Sequence, residues 1–404
     1  MASFVTVLLI LLSVFTLSYI GLLFLVVAGM FRSQPKARNL ATPMVSVIIP
    51  AHNEEQRLAS ALASLRRQQY AGRHEFIIVN DRSQDHTEAI IRSYQEKDSR
   101  FRLVNITAPG KRLSPKVNAV NTGIEASSGE IILTSDADCE FPDGWISEMV
   151  SHFEADVAMI IGYVETTRPH SGRSWLERFE SVDWLSLMLT SRSLIRFGWK
   201  FASSANNQAY RRLAFRAIGG FGAGGRAPSG DEDLLTQRMS RLGDMRVVFA
   251  STPGTRVLTH PAPSLPALLR QRRRWISRYQ HLMHYQPPFL AGIIVLGLQS
   301  ILLAGTVFLI PLAPRLFPWA VGWWSAKLTV ELTGFYLGSR QLGRRDLWGW
   351  PALSWALLHP FFISIAIFWS FIRPGDWRAG APDYRRSFWL WRLRQLRRLL
   401  RWSP

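Results

Sequence analysis

The sequence predicts an α/β domain with a doubly wound, mainly parallel sheet, set between transmembrane helices at both ends of the chain. Three observations carry that expectation. Residues 4–31 form an apolar run without a charged side chain, and about 20 such residues suffice to cross a bilayer. Residues 44–136 alternate short β-branched runs with stretches of helical apolar spacing, the pattern of strands paired in parallel with helices on both faces. Residues 289–312 and 348–372 are apolar again.

The first run is expected to be a retained anchor; it is too long for a signal peptide, and no basic segment precedes it. Arg32, Lys36 and Arg38 follow it directly while no Lys or Arg comes before it, so the positive-inside rule places the middle of the chain in the cytoplasm. There, "MVSVIIPA" (44–51) reads as a strand and 54–69 as a helix, then "EFIIVND" (75–81) as a strand and 84–97 as a helix. "FRLVNI" (101–106) and "GEIILTSD" (129–136) are the next two strands. Ligands of such sheets bind beyond the carboxyl ends of the strands, where this chain places His52, Asn53 and Glu54, then Asp81 and Ser83, then Asp136 and Asp138. Two carboxylates one residue apart are either a polar loop or a seat for a hard divalent cation with positions left open for phosphate and water.

Composition narrows the function classes. The 48 basic and 29 acidic side chains leave a formal charge of +19, which suits anionic lipid or a polyphosphate substrate. C2H2 spacing and an RNP-like aromatic signature are both missing, so no nucleic-acid partner is expected. A single cysteine, Cys139, excludes an internal disulfide framework and a multi-cysteine zinc site; following Asp138, it reads as a small space-filler.

Towards the carboxyl end, 318–338 is a weaker span because it carries Lys327 and Glu331, and 348–372 is interrupted by Pro351 and Pro360. The tail 385–402 alternates aromatic or leucine residues with arginine and reads as an amphipathic helix on an anionic membrane face. Three full late spans would export that basic tail, so one weak segment is expected to be interfacial or re-entrant, or else the proline-broken one crosses twice. The expected units are an anchor (1–31), a catalytic domain (44–255), an interfacial segment (256–286), transmembrane helices (287–372) and a basic tail (373–404).

Six motifs occur in order: "VSVIIPAHNEE" (45–55), "IIVNDRSQDHT" (77–87), "SPKVNAVNTGIEASSGEIILTSDADC" (114–139), "NNQAYRR" (206–212), "SGDEDLLTQR" (229–238) and "QRRRW" (271–275). Together they resemble the membrane-embedded family 2 glycosyltransferases, the GT-A group that includes cellulose- and hyaluronan-type synthases and bacterial lipid- or polysaccharide-directed relatives. The resemblance implies a GT-A, Rossmann-like domain and a membrane-bound inverting transferase. It moves a sugar from a nucleotide-sugar donor, a UDP-sugar first, to a lipid or glycan acceptor at the cytoplasmic face of a bacterial inner membrane.

By the same resemblance Ala51, Glu54 and Asp81 hold the uracil and ribose. Lys116, with Lys111 as rival, contacts the diphosphate. Asp136 and Asp138 bind Mg²⁺ or Mn²⁺ bridging that diphosphate, and Gln271, Arg274 and Trp275 close over diphosphate and acceptor near the membrane. The general base lies in "GDED": Glu232 falls where relatives carry Asp, so Asp233 and Glu232 come ahead of Asp231. A processive polysaccharide synthase is the alternative; a silent scaffold or a transporter is more remote.

Plainer readings stand beside these. Glu54 and Glu55 fit a helix's first turn, Asp81 fits a turn, and Lys111 and Lys116 fit a solvated loop. Asn206 and Asn207 line the acceptor side or make a turn. For His260 loop packing is favoured over contact with diphosphate or metal. "GGFGAGG" (219–225) lacks the strand-then-helix context of a phosphate loop and reads as a loop leading to the base motif.

Overall fold

The computed structural model describes residues 2–32, 39–108, 110, 113–166, 174–199, 204–222, 231–277 and 287–372. Lys36, Arg38, Lys111 and the basic tail fall outside the described residues. Helix α1 (Ala2–Phe31) precedes a domain that opens with β1 (Val45–Ala51), α2 (Leu58–Arg66), β2 (His74–Asp81), α3 (Thr87–Lys97), β3 (Phe101–Ile106), α4 (Pro115–Ala126) and β4 (Ile131–Thr134). Then come β5 (Cys139–Glu140), α5 (Trp145–Ser151), β6 (Val157–Gly162), β7 (Val164–Thr166) and α6 (Trp175–Leu194). The domain finishes with β8 (Gln208–Arg211), α7 (Arg212–Ala217), α8 (Asp231–Met239), β9 (Arg246–Ala250), β10 (Val257–Thr259) and α9 (Leu265–Ser277). Helices α10 (Pro287–Leu309), α11 (Phe317–Gln341) and α12 (Trp350–Ile372) follow.

Seven strands form one sheet in the order β3-β2-β1-β4-β8-β6-β9, and β5-β10-β7 form a second, small one. Strand β1 is parallel to both β2 and β4, while β8 runs antiparallel between β4 and β6. Val45, Val47, Ile48 and Ile49 are buried because helices cover both faces, which is why the strand reads as a continuous rather than an alternating apolar run.

One glycine fixes how close α4 comes. A Cβ on Gly123 would lie 2.5 Å from Ile48 Cγ2 and 2.9 Å from Val79 Cγ2. Only hydrogen there lets α4 rest directly on β1 and β2, and that contact brings the start of α4 to the sheet's carboxyl edge.

Elements differ from expectation mainly at their ends. The first helix starts at Leu58, not 54, and the second at Thr87, not 84. The residues before each are held by side-chain bonds between two loops. Asn53 N donates to Ser83 Oγ (3.0 Å), Glu54 N to Thr87 Oγ1 (2.8 Å) and Glu55 N to Asp85 Oδ2 (3.2 Å). In return Gln84 N donates to Asn53 Oδ1 (2.8 Å) and His86 N to Glu55 Oε2 (3.0 Å). Such local bonds compete with helix formation.

Among the described residues three helices are long and apolar enough to cross a membrane: Val5–Phe31, Pro287–Leu309 and Trp350–Ile372. Helix α11 packs among them although it carries Lys327 and Glu331 in its middle. Lys327 Nζ donates to Glu331 Oε2 (2.6 Å) and to the Ala356 carbonyl (2.7 Å), and Tyr19 donates to Glu331 Oε1 (2.6 Å). The charges that weakened this segment in the sequence are thus paired inside the bundle, where intramembrane ionisable groups are tolerated.

Helix α6 joins the bundle to the sheet domain. Ser174 and Glu177 form a capping box at its start. Near its end, Ser193 lies against Gly29 of α1 so closely that a Cβ on the glycine would sit 2.6 Å from the Ser193 carbonyl oxygen.

Candidate active site

The sheet places the predicted residues at one edge. In the register of β1 and β2, Ala51 lies opposite Asn80, and Asp81 is the next residue; β4 runs beside β1 and leads into Asp136. Asp81 is buried, and its carboxylate accepts from Arg82 Nε (2.7 Å) and Nη2 (3.2 Å). Its carbonyl bonds His52 Nδ1 (2.6 Å). Both edge loops turn through left-handed backbone, at Asn53 (φ 55°) and Arg82 (φ 57°). Outside glycine this is uncommon and costs of order 1–3 kcal/mol where the surroundings enforce it. Here the cross-loop bonds supply that enforcement.

Lys116, on the first turn of α4, lies 2.5 Å from Asp136 Oδ1. Asp138 lies 3.7 Å from Arg57 Nη1 with a quarter of its side chain exposed. Burial first, then repulsion by Asp136, hold the Asp138 carboxyl above its ordinary range, while Arg57, Lys116 and His260 pull it the other way. Strand β10 explains His260: Thr259 pairs with Cys139 in the antiparallel ladder, so His260 follows the residue opposite the carboxylate loop. Sequence reasoning favoured loop packing for it, because the signal is a register between strands 120 residues apart in the chain.

Residues 136 and 138 fit a divalent cation by their donor chemistry. The two carboxylates repel one another, and a cation would remove that repulsion. Among the described residues no third acidic, histidine or cysteine side chain completes a protein-only cluster, which leaves coordination positions to substrate and water. Cys139 is buried, and burial pushes its thiol well above the ordinary range, as a space-filler requires.

Asn207 is structural. Fully buried, it accepts from Trp145 Nε1 (3.0 Å) and donates to the carbonyls of Tyr163 (2.9 Å) and Thr255 (2.7 Å). Asn206, by contrast, reaches the carboxylate loop: its carbonyl accepts from Ser135 Oγ (2.5 Å) and its amide lies 3.6 Å from Cys139 Sγ.

The "GDED" acids open α8. Asp233 is buried; the side chains of Asp231 and Glu232 fall outside the described residues. Leu234, the next residue, packs against Phe289 and Ile293 of α10, which sets the start of α8 against the first turns of a membrane-type helix.

Helix α9 carries Gln271, Arg274 and Trp275. Its anchor is Arg272, which the sequence did not single out. Arg272 Nε and Nη2 lie 2.8 and 2.6 Å from Asp183 Oδ2 on α6, and its guanidinium sits 4.1 Å over the Trp275 ring. The same guanidinium also donates to Gln271 Oε1. Asp183 further accepts from Trp355 Nε1 (3.1 Å) and lies 3.6 Å from His359 Nε2. Burial alone would raise the Asp183 carboxyl, but Arg272 and then His359 bring it below its ordinary range. One buried carboxylate thus ties α6, α9 and α12 together.

A mainly parallel sheet in the order β3-β2-β1-β4-β8-β6-β9, with a carboxylate pair beyond its fourth strand, is a GT-A-like α/β domain. Residues 46–219 match the description "Glycosyl transferase family 2". The chain is 28% identical over 310 residues to an N-acetylglucosaminyltransferase of Rhizobium meliloti, covering 72% of this chain and 70% of that protein. It is 34% identical over 142 residues to glycosyltransferase AglE of Haloferax volcanii, covering 34% of this chain and 45% of that one. In structure it is similar to mannosyltransferase PcManGT from Pyrobaculum calidifontis, solved with GDP-Man and Mn²⁺, at a TM-score of 0.57 and 18% identity, covering 90% and 99% of the two chains. The chain carries a family 2 glycosyltransferase domain over residues 46–219 and is a glycosyltransferase.

Proposed function

We propose that the protein is a membrane-bound inverting glycosyltransferase whose donor is a nucleotide sugar, a UDP-sugar in the first instance, and whose acceptor is presented at the membrane. The observation that carries this is the convergence of Ala51, Glu54, Asp81, Lys116, Asp136 and Asp138 on one sheet edge, next to a helix pair that touches membrane-type helices. In this reading the loops after β1 and β2 hold base and ribose, and Asp81 holds its place through Arg82. Asp136 and Asp138 would hold Mg²⁺ or Mn²⁺, which when bound neutralises charge on the leaving diphosphate. Lys116 is released from Asp136 to the diphosphate; its 2.5 Å contact with Asp136 supports that reading.

Asp233 is the base we favour. It takes the proton of the acceptor hydroxyl as that oxygen attacks the anomeric carbon, the diphosphate leaves from the opposite face, and the configuration inverts. A positioned carboxylate supplies roughly 10²–10⁴-fold. The GDP-Man and Mn²⁺ bound by the mannosyltransferase support this donor class and a divalent ion. Helix α9 closes the site from the membrane side with Gln271, Arg274 and Trp275.

The same reading puts the sheet domain in the cytoplasm and makes α12 interfacial. Trp355 and His359 near its start meet Asp183, while Trp369 near its end lies 4.7 Å under the Arg273 guanidinium of α9. Contact with α6 in its first half and with α9 near its end fits a helix lying along the surface, with Pro360 inside it. Helices α1, α10 and α11 then cross, and the basic tail returns to the cytoplasmic face.

The test is nucleotide release from UDP- and GDP-sugars by the full chain with Mg²⁺ or Mn²⁺. Asp138→Asn should lower turnover by about two orders of magnitude or more and abolish metal dependence, and Asp233→Asn should lower transfer by a factor of roughly 10²–10⁴. Wild-type transfer by Asp233→Asn would move the base to Glu232 or Asp231; metal-independent wild-type turnover would remove the metal role altogether.

A further inference from the structure

A cavity of about 250 Å³ lies between α1, α6, α9, α10, α11 and α12. We propose that it holds the hydrocarbon chain of the acceptor, so that the acceptor is a lipid whose reactive hydroxyl or phosphate emerges beside Trp275. This rests on the transferase reading above and names the substrate class of that site.

Four observations converge. Most of the wall is apolar, with Val27, Leu296 and Phe335 among its residues, and apolar cavities stay dry and accept apolar guests. At roughly 30 Å³ for a water-sized group, the space takes about eight such groups, the bulk of a short run of methylenes. Its walls are supplied mainly by helices of membrane-spanning length, so the guest that enters sideways comes from hydrocarbon.

The charged side chains Glu331, Arg272 and Asp183 on the wall already have partners: Tyr19 bonds Glu331 at 2.6 Å, and Arg272 pairs with Asp183 at 2.6 Å. They demand nothing of a greasy guest. Lastly, the cavity adjoins both halves of the catalytic constellation. Trp275 lines it, and so do Phe289 and Ile293, the two residues on which Leu234 of the base helix packs. A chain seated there has its head group delivered between α8 and α9.

Gly334 of α11 gives the plug. It borders the cavity, and a Cβ there would meet only Val27 Cγ2, at 3.6 Å, so Gly334→Leu projects into the space. Gly322 on the same helix is exposed with nothing within 4 Å of a Cβ, and Gly322→Leu serves as control. The full chain in detergent is assayed for sugar transfer to dioleoylglycerol, to undecaprenyl phosphate and to a soluble oligosaccharide, alongside acceptor-free donor hydrolysis; the two lipid arms separate an acyl from a prenyl chain.

The expected result is transfer to one lipid, with its KM raised roughly tenfold or more by Gly334→Leu, no change with Gly322→Leu, and equal donor hydrolysis in all three proteins. Leu296→Trp fills the same space from α10 and replaces Gly334→Leu should that variant not accumulate. Lipid transfer with the same KM in plug and control overturns the cavity assignment while leaving the transferase reading intact. Transfer to the oligosaccharide alone overturns the lipid-acceptor assignment, and the absence of any donor turnover overturns the transferase reading itself.

Discussion

Replacing Asp183 separates a buried ion pair from a merely nearby one. Its side chain and that of Arg272 are 5% and 4% exposed, so Asp183→Leu leaves a guanidinium inside the protein without its main counter-charge, and the Trp355 indole without its acceptor. Breaking a buried pair from one side costs about 3–5 kcal/mol, whereas replacing both partners by apolar residues of similar volume is often neutral. Asp183→Leu and Arg272→Met should therefore each destabilise by about 3–5 kcal/mol, and the double variant by less than either alone.

Thermal unfolding of the four proteins in one detergent gives the cycle. Turnover gives a second readout: the double variant should recover stability but not kcat, because Arg272 also holds Gln271 and supports the Trp275 ring. Additive losses, with a coupling energy below about 0.5 kcal/mol, would refute the claim that Asp183 positions α9.

Three further outcomes follow from buried polar groups. Asn207→Leu orphans the Trp145 indole and the carbonyls of Tyr163 and Thr255; at about 1–3 kcal/mol for each buried unsatisfied group, the expected loss is at least about 3 kcal/mol, read as a fall in Tm. Glu75 accepts from Ser46 Oγ (2.7 Å), Ser128 N (2.6 Å) and Arg102 (3.0 Å); burial opposes its charge, but these bonds hold it below its ordinary value of 4.5. A depressed carboxyl stabilises above its unfolded pKa and loses that contribution as pH falls through the folded one, so the stability gap between wild type and Glu75→Gln should be full near neutrality and shrink below about pH 4.5; a gap constant with pH would contradict it. Cys139, buried and held protonated, should react with maleimide no faster than the domain unfolds, and Cys139→Ala should keep its turnover.

The strands, the carboxylate pair and the motif order were legible because each depends on local chemistry. A doubly buried strand must be mostly apolar, as β1 is apart from Ser46, and a strand's carboxyl end must turn polar where a ligand sits. Asp136, Asp138 and Asp81 could be placed at one edge from alternation alone, since parallel neighbours share their direction. Helix ends were less legible, because the bonds that hold Asn53, Glu54 and Glu55 come from residues 83–87 and not from their own segment.

What the sequence alone determined is the class of chemistry: a basic chain with a family 2 glycosyltransferase domain and a carboxylate pair after its fourth strand. The tertiary structure decided which groups meet. It gave Glu331 two partners, Lys327 and Tyr19, and so turned a doubtful segment into a bundle helix. It set His260 beside Asp138 through a two-residue ladder, made Asp183 the anchor of α9, and brought the base helix against α10. Apart from Lys327 and Glu331, one helical turn from each other, these contacts join segments tens to hundreds of residues apart. Charge and apolarity are properties of a residue and can be read in order along the chain, but the partner that makes a buried charge tolerable is chosen only when the packed core closes.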